Sequence, residues 1–99
     1  MSNDDGFIDI GSDHFIRFSS YQDDDKTGIT VLHKDKSGAT CRGWVAFRGG
    51  AWEKAFVASA QPIQAWDVQS LDPLTISPSV LCRACGDHGF IRDGKWVCA

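Results

Sequence analysis

Cys82-Arg83-Ala84-Cys85-Gly86 constrains the fold of this chain more than any other segment. Two thiols with two residues between them, followed by a glycine, can wrap one tetrahedral ion within a single turn. His88 and Cys98 follow closely enough to complete four N/S ligands, the set that structural Zn²⁺ prefers. Between them Asp93-Gly94, flanked by Phe90, Ile91, Trp96 and Val97, predicts a hairpin with a two-residue type I′ turn. In that register Arg92 opposes Lys95, Ile91 opposes Trp96, Phe90 opposes Val97 and Gly89 opposes Cys98. Alternation then puts Gly89, Ile91, Trp96 and Cys98 on one side and His88 on the other. The ligand set Cys82, Cys85, His88 and Cys98 therefore requires the backbone to leave strand geometry around His88, which the flanking Gly86 and Gly89 permit. Cys41 is the alternative fourth ligand. Residues 78–99 read as a zinc-knuckle hairpin.

A chain of 99 residues makes a single domain, small enough that a metal staple is useful. The segments before the knuckle read mostly as strands. Phe15, Ile16 and Phe18 mark one strand over 14–19, followed by a polar loop over 21–28. Ile29, Val31 and His33 alternate with Thr30, Leu32 and Lys34, and Asp35-Lys36-Ser37-Gly38 turns the chain into a second strand over 39–47. Residues 51–60 fit a short helix, an irregular turn or a strand equally well. A strand over 63–68, a bend at Leu71-Asp72-Pro73 and a short edge piece over 74–76 complete the pattern. Pro78 keeps the approach to the cysteines extended. The expected fold is mainly β, a small β-rich or α+β domain of antiparallel hairpins ending in the knuckle. A flexible N-terminus is allowed over residues 1–13.

Asp23, Asp25, Thr27 and Gly28 fall on the first, third, fifth and sixth positions of a calcium loop, but Lys34 stands at the twelfth, where such a loop needs a bidentate glutamate. Calcium is discarded. The net charge of −3 argues against a broad phosphate-binding surface. No apolar run is long enough to span a bilayer and no secretory leader is visible, so the expected location is the cytoplasm. In a reducing compartment the four cysteines read as ligands or buried thiols, not disulfides.

The stretch from Asp72 through Ser77-Pro78-Ser79 to Cys82, continuing as Cys85-Gly86-Asp87-His88-Gly89-Phe90-Ile91-Arg92-Asp93-Gly94-Lys95-Trp96, resembles an uncharacterised family of small proteins of actinobacteriophages and prophages, some of which carry the misleading label ammonia monooxygenase. Trp66 fits the same pattern, and Cys41-Arg42-Gly43-Trp44 weakly resembles an upstream segment of relatives. The resemblance implies a phage accessory protein in the host cytoplasm, with a zinc site and no established chemistry.

Three functions compete. The leading expectation is a zinc-stabilised protein-interaction module that binds a bacterial host protein, with Trp52 and Trp66 as contact residues. The second is a nucleic-acid-binding zinc protein that uses Arg83, Arg92 and Lys95 on phosphate and Trp96 on a base. The third is a metal-dependent enzyme with an open coordination position. No Ser/His/Asp arrangement is visible in the linear sequence, His14 and His33 look isolated, and four protein ligands would close the metal. The chain is accordingly expected not to be an enzyme.

Overall fold

Within each sheet every strand pairs with its immediate successor, and among the described residues one short helix interrupts the series. The computed structural model describes residues 6–60 and 63–99. Strands β1 (Ile8–Gly11), β2 (His14–Tyr21), β3 (Asp24–Lys34) and β4 (Thr40–Phe47) form an antiparallel meander. Helix α1 (Ala51–Ala58) then carries the chain across, so that β5 (Ala65–Leu71) runs parallel to β4, and β6 (Leu74–Ser77) returns beside β5. This six-stranded sheet is accompanied by a three-stranded one, β7 (Val80–Leu81), β8 (His88–Arg92) and β9 (Lys95–Cys98). The fold is mainly β, as the alternation of the sequence predicts.

The C-terminal hairpin adopts the expected register, Gly89 with Cys98 through Arg92 with Lys95. Asp93 and Gly94 have φ of 51° and 74°, the double left-handed turn that a two-residue loop between twisted strands demands. The turn is also anchored: Gly94 N–H donates to Leu74 O at 2.8 Å and Asp93 N–H to Thr75 Oγ1 at 2.9 Å, tying it to β6.

Two segments differ from the sequence reading. Instead of a polar loop over 21–28, β2 ends in a tight turn at Gln22, whose φ is 54°, and β3 begins at Asp24. The polar residues are strand residues with helix-capping duties. Asp24 Oδ2 accepts from Ala51 N–H at 3.0 Å, and the buried Thr27 Oγ1 accepts from Trp52 N–H at 2.7 Å. These bonds satisfy donors of the first helical turn that Gly50, having no side chain, leaves open. The ambiguity over 51–60 is thereby resolved as helix.

The core lies between the two sheets. Ile10, Ile16, Ile29, Val31, Val45, Phe47, Leu74, Ile76, Ile91 and Trp96 form one buried cluster. Gly89 lets the hairpin close on it, since a Cβ there would lie 2.5 Å from the Trp96 ring. Among the described residues no helix is long and apolar enough to cross a membrane.

Candidate functional site

The β3–β4 register brings His33 directly opposite Cys41, on the sheet face that also carries Val31 and Gly43. The knuckle meets that face. Gly86 N–H donates to Cys82 O and Cys82 N–H to Asp87 O, both at 2.7 Å, while Gly86 takes a φ of 83° to close the turn. The result is a four-residue group, His33, Cys41, Cys82 and Cys85, whose ligand atoms all lie within 4.8 Å of one another. His33 Nε2 stands 3.3 Å from Cys85 Sγ.

This donor set fits a metal ion. Burial pushes the Cys41 thiol up to about 11, helped by the neighbouring Cys85 and Cys82, because three thiols so close resist ionising together without a cation among them. Burial also opposes ionisation of Cys82, but the backbone N–H groups of Cys85 and Ala84 hold its thiol below the ordinary range. Burial lowers His33, more than the Asp87 carboxylate raises it, keeping the imidazole in the neutral form that metals require.

The structure thus unites three expected ligands, Cys82, Cys85 and the alternative Cys41, with His33, which linear reading set aside as isolated. His88 and Cys98 lie outside the group, a correction to the expected set. β8 keeps regular strand geometry through His88, which pairs with Leu81, and Cys98 is exposed opposite Gly89. His33 alternates with Ile29 and Val31, two buried residues of the same strand face, a pattern that marks it as inward-facing but not as a ligand.

A second polar group supports the knuckle. His14, buried, stacks on Trp96 with ring centroids 4.0 Å apart and on His33 at 5.0 Å. Its Nδ1 bonds Ser12 O at 2.7 Å and its Nε2 bonds Asp87 Oδ2 at 2.5 Å. Asp87 is therefore occupied by His14, although it adjoins His88 in sequence.

His88 has a different partner. Its Nε2 lies 2.7 Å from Ser79 Oγ. The pairing of Leu81 with His88 and Val80 with Gly89 explains why: extended by one residue, the alternation puts Ser79, Leu81, His88 and Phe90 on one face, with Ser79 and His88 as diagonal neighbours. Both residues line a cleft of about 400 Å³, together with Gln64, Trp66 and Arg83. Trp66 Nε1 donates to Ser79 O at 3.2 Å and fixes the main chain there. Among the described residues no carboxylate bonds the other nitrogen of His88, so the arrangement is a dyad.

Of the two tryptophans expected to contact a partner, Trp66 is half-buried against Ser79, whereas Trp52 packs on the helix beside Phe56, with ring centroids 6.2 Å apart. Trp44 is the exposed one, at 60%. Arg83, Arg92 and Lys95 are exposed, but Trp96 is buried in the core and offers no face to a base.

Comparison with known proteins adds one finding. A family model described as "Bacterial ubiquitination-like system serine protease (BubE)" matches residues 19–99. No curated protein and no solved structure matches. The match overturns the expectation that the chain is not an enzyme. The serine–histidine pair was invisible in the linear sequence because strand pairing, not spacing, creates it.

Proposed function

The chain belongs to the bacterial ubiquitination-like system serine protease (BubE) family, and from that membership we propose that it is a serine protease whose nucleophile is Ser79 and whose general base is His88. The observation that carries this reading is the 2.7 Å contact between Ser79 Oγ and His88 Nε2 at the edge of an open cleft. Hydrogen-bond contact between hydroxyl and imidazole is what nucleophilic catalysis needs.

The reaction follows from that geometry. With its proton on Nδ1, His88 accepts the Ser79 hydroxyl proton at Nε2 as Oγ attacks the substrate carbonyl carbon. The tetrahedral intermediate collapses, the C–N bond breaks, and His88 gives the proton to the departing amine. Water then attacks the Ser79 ester, His88 takes its proton, and the proton returns to Oγ as the acid leaves. Gln64 and Trp44, on the same cleft, carry neutral side-chain N–H groups available to the oxyanion.

The ion at His33, Cys41, Cys82 and Cys85 is zinc on this reading, since three thiolates and one imidazole are a closed structural zinc set. Its work is to hold the turn that follows Ser79. A reducing cytoplasm, where these thiols stay free to bind metal, is the matching location.

The test is labelling with a fluorophosphonate, which reacts with activated serines. The probe should attach at Ser79, and Ser79→Ala should remove the signal. His88→Ala should slow labelling by about a thousandfold. Labelling elsewhere, or none, sinks the assignment.

A further inference from the structure

We propose that the substrate enters as an extended peptide bearing acidic side chains, which adds as a strand to the free edge of β4 and is led by it to Ser79; the inference rests on the protease reading above. β4 is paired with β3 from Thr40 to Ala46, but with β5 only at Ala46 and Phe47. Along Thr40–Val45 its outer edge therefore has no strand beside it among the described residues. The backbone N–H and C=O groups on such an edge template the binding of another chain. β7 is likewise the outer strand of its sheet.

Between these two edges lies a cleft of about 270 Å³, lined by Gly43 and Trp44 from β4 and by Val80 and Leu81 from β7. It adjoins the cleft of the dyad: Trp44, Trp66, Leu81 and Arg83 line both. A chain lying along β4 is thus delivered to the serine.

Two features specify the occupant. Gly43 opens the cleft, since a Cβ built there meets nothing within 4 Å. Arg42 and Arg83 line the cleft on a protein of net charge −3, and among the described residues neither is ion-paired, while Asp87, the carboxylate of the same lining, is engaged by His14. Two arginines without an ion-pair partner beside an open strand edge, Arg42 on the face of β4 that carries Trp44, complement carboxylate side chains on the incoming chain.

The experiment compares wild type, Gly43→Leu and Arg42→Glu in two assays. One is fluorophosphonate labelling of Ser79, which needs the dyad but not the β4 edge. The other is mass-spectrometric profiling of cleavage in a peptide library, followed by kinetics on the best peptide. Gly43→Leu should label like wild type while its kcat/KM falls at least about tenfold, through KM. Peptides cut by wild type should be enriched in Asp and Glu, and Arg42→Glu should lose that enrichment. Arg42→Glu changes an exposed side chain, so it keeps the idea testable should Gly43→Leu fold poorly. Normal labelling with unchanged peptide kinetics in both variants overturns the strand groove and leaves the dyad standing. Absence of Ser79 labelling in wild type overturns both.

Discussion

Ser79 and His88 are nine residues apart, and they meet because two residues of β7 pair with the start of β8. Their contributions should not add. On the protease reading, a variant lacking both side chains is expected to be no slower than Ser79→Ala alone, measured as residual hydrolysis of the best peptide, as follows for two groups that share one proton transfer. Gly89 makes a different demand, since the Trp96 ring occupies the space a side chain would need. Gly89→Ala should cost about 3 kcal/mol in denaturant unfolding, the upper range for overpacking a tight core. An unchanged midpoint would refute that packing account.

The residues that could hold a metal come from a hairpin and a knuckle, so metal binding would be linked to folding. Chelation should lower the melting temperature by at least about 10 °C, the scale expected when a structural zinc leaves a domain of this size. Cys41→Ser should reproduce most of that loss with reduced zinc content, whereas Cys98→Ser should leave both unchanged. The reverse pattern would restore the ligand set expected from linear spacing. Acidity acts in the same direction. His33 is held below its ordinary pKa, so the folded protein binds fewer protons there than the unfolded chain. This contribution is complete above pH ~6.5, the unfolded value, and is lost as pH falls toward the lowered folded one. A melting temperature that rises on acidification below pH 6 would contradict the sign. Helix α1 depends on β3 in a comparable way, through the 2.7 Å bond to Thr27. Thr27→Val should cost about 1 kcal/mol, the usual size of a lost cap.

Across the molecule, Ser79 and the metal-ligating cysteine Cys85 of the proposed site lie at two ends of one short stretch. Removing the metal should therefore suppress Ser79 labelling although no ligand touches the serine. Retained labelling in the metal-free protein would show that strand pairing alone positions Ser79. The C-terminal hairpin, its turn and its register could be read from Asp93-Gly94 and the flanking apolar residues, because a two-residue turn leaves one register open. The same held for the β3–β4 pair and for Cys82 and Cys85, whose spacing is a local property of the chain. His33 as a ligand, His88 as the partner of Ser79, and the helix capped from a distant strand were beyond that reach. Each depends on which side chains face one another across paired strands, and strand pairing joins residues far apart in sequence through backbone groups that every residue shares. Side-chain pattern therefore identified the pieces, while assembly of the sheets determined which reactive atoms came within bonding distance.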